Sequence, residues 1–586
     1  MFSIWVPRHS IFFNNGDKYT VITTAHKKWL LKNSLYETPT NTKTSSLWGV
    51  EGELWDSKGR LPDYSYAGYH AGEKIIPLIP VVANVKDFGA KGDGVKDDTE
   101  AFKIAIASAN NGAILVPKGK YLITEVLFLQ KNNLVLRGEG SGTDGTVLIF
   151  PYSLTKMLRI DPAWTWGNGG VIWMGYDSWN NIIGEDLAKI TNEPKRGDKI
   201  IQLSQNTSLK NGDYIIIQMI ESEDRSMEKM LHNGDVDIDR CVWQPSKFLW
   251  PVKVKNVTGN SITLAQPLRV GVKQKWSPVI NKYNAYQEIG IEHLRIEFPE
   301  IPAKGHLLED GYNAIAMRGV LNSWVKDVVV QNADNGPSLQ FSKNISVIGF
   351  THIATNRTPN IVDSGYTGSV FGHHGFTFGS NSSDNLLSKF NTTRFAHDIT
   401  VDGLSNGNVI TNVTGTDISL DHHGNIPYEN LFSNINIGIG NRTYNSSGLP
   451  CSTPRSGARE TFWNLKFNDS SRKASMPVIF GLFPQSNIIP GDSNLSLINR
   501  DVFMENINQL EPQDLYQSQL TARAKRDGIT LPQKGDINED GKIDVADFNI
   551  YVKYIFKINT QYNQRIIDIN DDGKIDLKDF INFPVN

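Results

Sequence analysis

Five of the 12 histidines in this 586-residue chain fall between positions 373 and 423: His373, His374, His397, His422 and His423. An even scatter would place about one there. The same window holds Lys389, Arg394, Asp398, Asp402, Asp417 and Asp421, within the stretches FGHHGFTFG, NTTRFAHDITVDG and GTDISLDHHGNIPYENL. Arg442, Arg455, Arg459 and Glu460 come later in the chain and extend the polar set. Imidazoles, carboxylates and guanidinium groups crowded together are the materials of acid–base chemistry on a polar substrate. The candidate catalytic set is therefore His374, Arg394, His397, Asp398, Asp417, Asp421, His422 and His423.

Two chemistries fit these residue types. In β-elimination a base removes the C5 proton of a uronic acid while a cation neutralises its carboxylate, and His374, His397 and Arg394 suit those roles. In glycoside hydrolysis two carboxylates share the work, one as acid and one as base or nucleophile. Asp417 and Asp421 point the same way if extended, but lie roughly 13 Å apart along the strand. A partner from a neighbouring segment, Asp398 or Asp402, fits better. Two further readings stay open. The histidines could satisfy backbone groups inside turns, or bind a metal, although adjacent histidines on a strand face opposite ways and offer one ligand per side.

A second chemical locus lies at the C-terminal end. Asp536–Asp547 reads DINEDGKIDVAD, a 12-residue loop with oxygen donors at the calcium positions. Asp536, Asn538 and Asp540 occupy positions 1, 3 and 5, Lys542 offers its carbonyl at 7, and Asp544 and Asp547 stand at 9 and 12. The pattern recurs 32 residues later with Asp568, Asn570, Asp572, Lys574, Asp576 and Asp579. Hard oxygen ligands at this spacing predict two Ca²⁺ ions. After the first loop, Phe548, Tyr551, Val552, Ile555 and Phe556 mark one face of a helix.

Something must bring residues 50 positions apart to one place. Asparagine (53 residues) and glycine (50) are abundant, and both suit sharp corners between short strands. Stacked turns also let asparagines form hydrogen-bonded ladders. Short alternating segments recur around 293–296, 328–330, 345–347, 376–378, 399–401, 418–420, 435–437 and 465–467. Their spacing, roughly 25 residues, predicts a parallel β-solenoid in which residues one coil apart stack. A β-rich insertion is expected around 190–275, with a hairpin turn at Gly259-Asn260 and a short charged helix or loop, ESEDRSMEKML, between its halves.

Residues Asn84–Ala109 read as strand, Gly/Asp loop and helix, with Asp97 and Asp98 as caps and Ala101, Phe102, Ala105 and Ile106 apolar. Gly112–Ile123 and Asn133–Phe150 come next as strand pairs. This run resembles the N-terminal capping region of pectate-lyase-like right-handed parallel β-helix proteins. The fold class is thus mainly β: a right-handed parallel β-helix with a β-rich insertion and a small α-helical calcium-binding module. Gly372-His373-His374-Gly375 is only loosely similar to the GHG motif of pectin-type hydrolases, with one extra histidine. The paired calcium loops with Asp at position 12 resemble a type I dockerin. That resemblance implies a cohesin module as partner and an extracellular, cellulosome-associated carbohydrate-active enzyme. Val545-Ala546 and Leu577-Lys578 depart from the Ser-Thr pairs often found at its recognition positions.

The expected organisation is an N-terminal leader (1–82), the β-helix body (83–527), a linker (528–535) and the dockerin (536–583). Residues 61–73, LPDYSYAGYHAGE, are expected to pack their aromatics along the outside of the helix rather than line a sugar site, and 512–526 to form a terminal helix. Residues 1–45 show no strong pattern, and MFSIWVPRHSIFF reads as no clear export signal. Cys241 and Cys451 permit at most one disulfide. The net charge of −3 lies wholly within residues 531–586, so the body is electrically balanced. Such a balance disfavours a nucleic-acid binder, and no apolar run is long enough to span a membrane. The sequence therefore predicts an enzyme cleaving glycosidic bonds of a polysaccharide, hydrolase ahead of β-eliminating lyase, with a noncatalytic glycan-binding β-helix as a further alternative.

Overall fold

The computed structural model describes residues 10–14, 19–23, 43–159, 169–232, 247–305, 307–361, 369–444, 447–448, 456–468, 487–489, 503–505 and 510–532. Both calcium loops, the helix expected after the first, and Cys241 and Cys451 lie outside them. The chain forms two units. One comprises 1–42, 75–78 and 530–586, within which Ser10–Asn14 pairs antiparallel with Tyr19–Thr23. The other, 43–74 with 79–529, holds the body.

The body is a parallel β-helix. One ladder runs through Leu134–Gly138, Ile289–Glu297, Val320–Gln331, Lys343–Ile353, Leu386–Thr392, Val409–Gly415 and Leu431–Gly438, all paired in parallel. A second joins Leu127–Leu129, Ile172–Gly175, Ile315–Arg318, Ser338–Gln340, His374–Phe378, His397–Val401 and Leu420–His422, also in parallel. Leu386 lies opposite Val409, and Val409 opposite Leu431, so one coil takes 23 and then 22 residues. Parallel pairing at such short separation requires the chain to circle back once per strand. The repeats expected from sequence therefore divide between two faces of the same coils. The core lies inside: Val328, Phe350, Phe390, Val413 and Ile435 stack in register and are buried.

The asparagine excess has two structural uses. A column of left-handed residues bends each long strand at the same point: His293, Asp327, Gly349, Lys389, Asn412 and Asn434, with φ of 57, 50, 67, 56, 55 and 51°. Each sits where the ladder register skips a residue. Asn, Asp and Gly tolerate this conformation best. Elsewhere, buried asparagines stack. Asn385 donates to Asn408 (2.9 Å), Asn408 to Asn430 (2.9 Å) and Asn430 to Glu460 (2.9 Å). Each also accepts or donates a main-chain bond, so the interior corner carries satisfied polar groups.

The first coil is covered by the helix Thr99–Ser108, whose Ala101, Phe102, Ala105 and Ile106 are buried. Only Asp97 bonds the first turn, accepting from the Thr99 amide at 3.0 Å. Asp98, expected as a cap, instead accepts from the amides of Lys91 and Gly92 and fastens the glycine loop. The insertion is a six-stranded antiparallel sheet built from strands between Ile183 and Tyr283, which bracket the expected 190–275. Its hairpin turns at Gly259 and Asn260, and Ser226–His232 is a helix whose Met227 and Leu231 join the insertion core. Arg269 ties the insertion to the coils, reaching Asp384 at 2.5 Å and Glu429 at 3.1 Å. Tyr64, Tyr66 and Tyr69 of the leader are buried, and Tyr516 of the terminal helix Leu515–Asp527 donates to the Ala67 carbonyl at 2.8 Å. Among the described residues no helix is long and apolar enough to cross a membrane.

Candidate active site

The second ladder places His374 opposite His397, and Thr400 opposite Asp421. Residues 23 and 21 positions apart thereby become neighbours. His373 and His374 stack with ring centres 4.4 Å apart, and His374 and His397 lie at 4.7 Å. Asp421 is the hub. Its Oδ2 lies 3.0 Å from His397 Nδ1 and 2.7 Å from His423 Nδ1, and accepts from the Ser447 hydroxyl at 2.6 Å. His374 Nδ1 meets the Thr400 hydroxyl at 2.9 Å, and His373 Nδ1 lies 3.1 Å from Glu309. Asp421 and His397 are fully buried, whereas the His423 side chain is 20% exposed and is the point where this cluster meets solvent.

Electrostatics divide the roles. Burial pushes His397 down to about 3 despite the Asp421 carboxylate beside it. Burial and the neighbouring imidazoles hold His374 well below the ordinary imidazole range. Both rings are neutral at neutral pH. Burial opposes the charge on Asp421, but His397 and His423 outweigh it and hold its carboxyl well below the usual range. Asp402 behaves oppositely. Burial pushes its carboxyl up, Asp421 adds to the rise, and His423 opposes it. Its buried Oδ1 has no hydrogen-bond partner among the described residues.

The remaining sequence candidates occupy different places. Arg442 donates to the carbonyls of Phe395 (2.8 Å) and Ala396 (3.1 Å) and to Asp398 (2.7 Å). Asp398 also accepts from the Phe395 and Ser419 amides. Asp417 accepts from the Asn441 amide at 2.8 Å and lies 3.3 Å from Arg394. The same device appears at Arg357, which donates to the carbonyls of Asn332 and Ala333 and to Asp334. At both places a buried arginine joins a carboxylate to two consecutive carbonyls, so Asp398 and Asp334 are tied to the main chain of their coils. His422 faces inward, near Phe432 and Phe462 and 3.8 Å from Glu460, because adjacent strand residues alternate. Arg459 pairs with Glu429. Sequence reasoning missed Ser447 and Glu309, which carry no local signal and join the cluster only through folding. Two triples place possible metal-donor atoms within 4.8 Å of one another: His373, His374 and His397, and His397, Asp421 and His423; the adjacent His373 and His374 stack on one side here, against the expectation that they face opposite ways.

Comparison with known proteins supplies the context. Residues 82–292 match the family model described as rhamnogalacturonase A/epimerase, pectate lyase-like, and residues 534–582 match the type I dockerin domain. The chain joins a pectate-lyase-like domain to a type I dockerin domain. Similar curated proteins include alginate lyase 7 of Azotobacter vinelandii, 40% identical over 87 residues, covering 13% of this chain and 10% of the relative. Mannuronan C5-epimerase AlgE1 of the same organism is 36% identical over 91 residues, 14% of this chain and 6% of the relative. The chain thus spans a tenth or less of either. Among solved structures, the tailspike protein gp49 of Pseudomonas phage LKA1 is 15% identical with a TM-score of 0.45, covering 66% of this chain and 59% of that one. The family 28 exopolygalacturonase of Yersinia enterocolitica is 14% identical with a TM-score of 0.28, covering 74% and 67%.

Proposed function

We propose that this pectate-lyase-like chain is a glycoside hydrolase that cleaves a polysaccharide, with Asp421 as the ionised carboxylate and Asp402 as the acid. The observation that carries this reading is the opposite displacement of the two carboxyls, both referred to the same His423. Surroundings that push two carboxyls apart in pKa assign one to proton donation and the other to base or nucleophile duty. His397 and Ser447 orient Asp421 through hydrogen bonds of 3.0 and 2.6 Å. The hydrogen bonds made at Nδ1 by His374, His397 and His423 fix their ring orientations and leave Nε2 as the nitrogen available for proton transfer.

A β-eliminating lyase is the second reading, favoured by the neutral His374 and His397, with the Arg394 guanidinium, 19% exposed and 3.3 Å from Asp417, as the candidate cation. Incubation with pectin, alginate, glycosaminoglycan and neutral glycans, then measurement of reducing-end release and ultraviolet absorbance, separates the two. Reducing ends without absorbing product are expected; unsaturated uronate overturns the hydrolase. Elemental analysis of the purified protein, in which one equivalent of zinc would overturn the metal-free reading, completes the test. For the dockerin domain we propose two Ca²⁺ ions held by the loops at 536–547 and 568–579, a cohesin partner, and an extracellular, scaffold-bound setting.

A further inference from the structure

A cavity of about 480 Å³ lies away from the histidine cluster, where leader, insertion, coils and terminal helix meet. Its lining includes Tyr66, Lys74, Lys253, Lys255, Lys343 and Arg523. That volume lies within the range of small-molecule sites. Lys343 is buried and held by Asp384 and by Gln266 at 3.2 Å. Arg523 is 2% exposed, donates to the carbonyls of Ser65 and Ala71, and lies 4.4 Å over the Tyr66 ring.

Two features of this lining are unbalanced. The Tyr66 hydroxyl and Arg523 Nε are buried without a hydrogen-bond partner among the described residues. Each such group carries an unrelieved desolvation penalty unless something completes it. Charge is unbalanced as well. Among the described residues no ion pair is made by Lys74, Lys253 or Lys255. The lining carboxylates Glu73 and Asp527 are taken by Arg523 and Arg526. Lys199, half-buried nearby, is held below the ordinary lysine range by burial, with Asp527 opposing and Arg526 and Lys255 adding as like charges. A concave, partly aromatic wall with surplus cations and unmet donors fits an anionic ligand that also carries hydroxyl groups.

We propose that this cavity is a noncatalytic site for an acidic oligosaccharide. Lys253 and Lys255 receive its carboxylate or sulfate, and Tyr66 and Arg523 bond its hydroxyls. The choice of a sugar rests on the proposed polysaccharide cleavage; the anion preference rests on the cavity alone. None of its lining residues belongs to the Asp421 cluster.

Titration calorimetry on the full chain carrying Asp421→Asn tests this without cleavage. The probes are trigalacturonate, a sulfated trisaccharide, neutral cellotriose and inorganic sulfate. One of the acidic sugars should bind with salt-dependent affinity, and which one does so tells carboxylate from sulfate. Lys253→Gln/Lys255→Gln should weaken it about tenfold or more. Tyr66→Phe should weaken binding severalfold yet raise the melting temperature of the free protein, because an unmet hydroxyl is removed. Unchanged affinity in the lysine double variant overturns the proposal, as does inorganic sulfate binding as tightly as either sugar. A parent protein that cleaves no glycan but shows lysine-dependent binding overturns only the catalytic reading. One that cleaves but shows no such binding overturns only this one.

Discussion

Asp421 and Asp402 both feel the charge of His423 but hold opposite charge preferences. Asp421→Asn should remove about 10³-fold or more of activity with the melting temperature little changed, and Asp402→Asn should cost about 10²–10⁴-fold. The pH profile is set by the shifts. Asp402, raised above its ordinary value, is lost as an acid when pH climbs through that raised pKa; Asp421, depressed, stays ionised until pH falls far below the ordinary carboxylate range. Rate against pH should therefore fall on the alkaline side first, and a profile whose alkaline limb survives Asp402→Asn would remove Asp402 as the acid. The histidine window was legible because composition alone exposes clustering. The division of labour inside it was not. Asp398 looks as catalytic as Asp421 until Arg442, 44 residues later, is seen to clasp it. Ser447 carries no signal before the chain folds.

At the scale of elements, the corner column and the asparagine ladder make separate demands. At Asn412, with φ of 55°, Asn412→Gly should be tolerated, whereas Asn412→Val should cost about 1–2 kcal/mol. Asn408→Ala removes a donor and an acceptor between two buried neighbours, and about 1–3 kcal/mol should be lost in urea titration. The joint between insertion and coils is ionic. Burial opposes the charge on Glu429, but Arg196, Arg459 and Arg269 hold its carboxyl down at about 2. A carboxyl depressed on folding stabilises above its unfolded pKa and loses that contribution as pH falls through its folded pKa. The insertion joint should therefore weaken between about pH 4.5 and pH 2. Glu429→Gln, which removes the carboxylate that Arg196, Arg269 and Arg459 share, should abolish that acid-dependent step and lower the melting temperature at neutral pH. Strand period and corner residues were readable from sequence. That the repeats divide between different faces was not, because 376–378 and 345–347 have the same alternating pattern and only pairing partners distinguish them.

For the whole molecule, all of the net negative charge sits within residues 531–586, where the type I dockerin domain matches. The β-helix has its own continuous core, from the helix over the first coil to Phe462 and Leu465. Its coils are fastened by buried ion pairs and asparagines that need no added ion. On the proposed reading, the dockerin domain, about 50 residues long and so short of core material, takes its stability from its two Ca²⁺ ions. Stability must then split by chelation. Adding EGTA should abolish the helical circular dichroism of the isolated 531–586 fragment and release a cohesin-bearing scaffold, while the β-helix melting transition of the full chain stays where it was. Glycan cleavage in solution should also survive, because among the described residues the Asp421 cluster is built from His397, His423 and Ser447 of the β-helix body. A fragment whose dichroism ignores EGTA would show that the twelve loop ligands are not what folds it. A β-helix transition that drops with chelation would place a calcium ion in the body, and the histidine–carboxylate cluster would then have to be reconsidered as its seat.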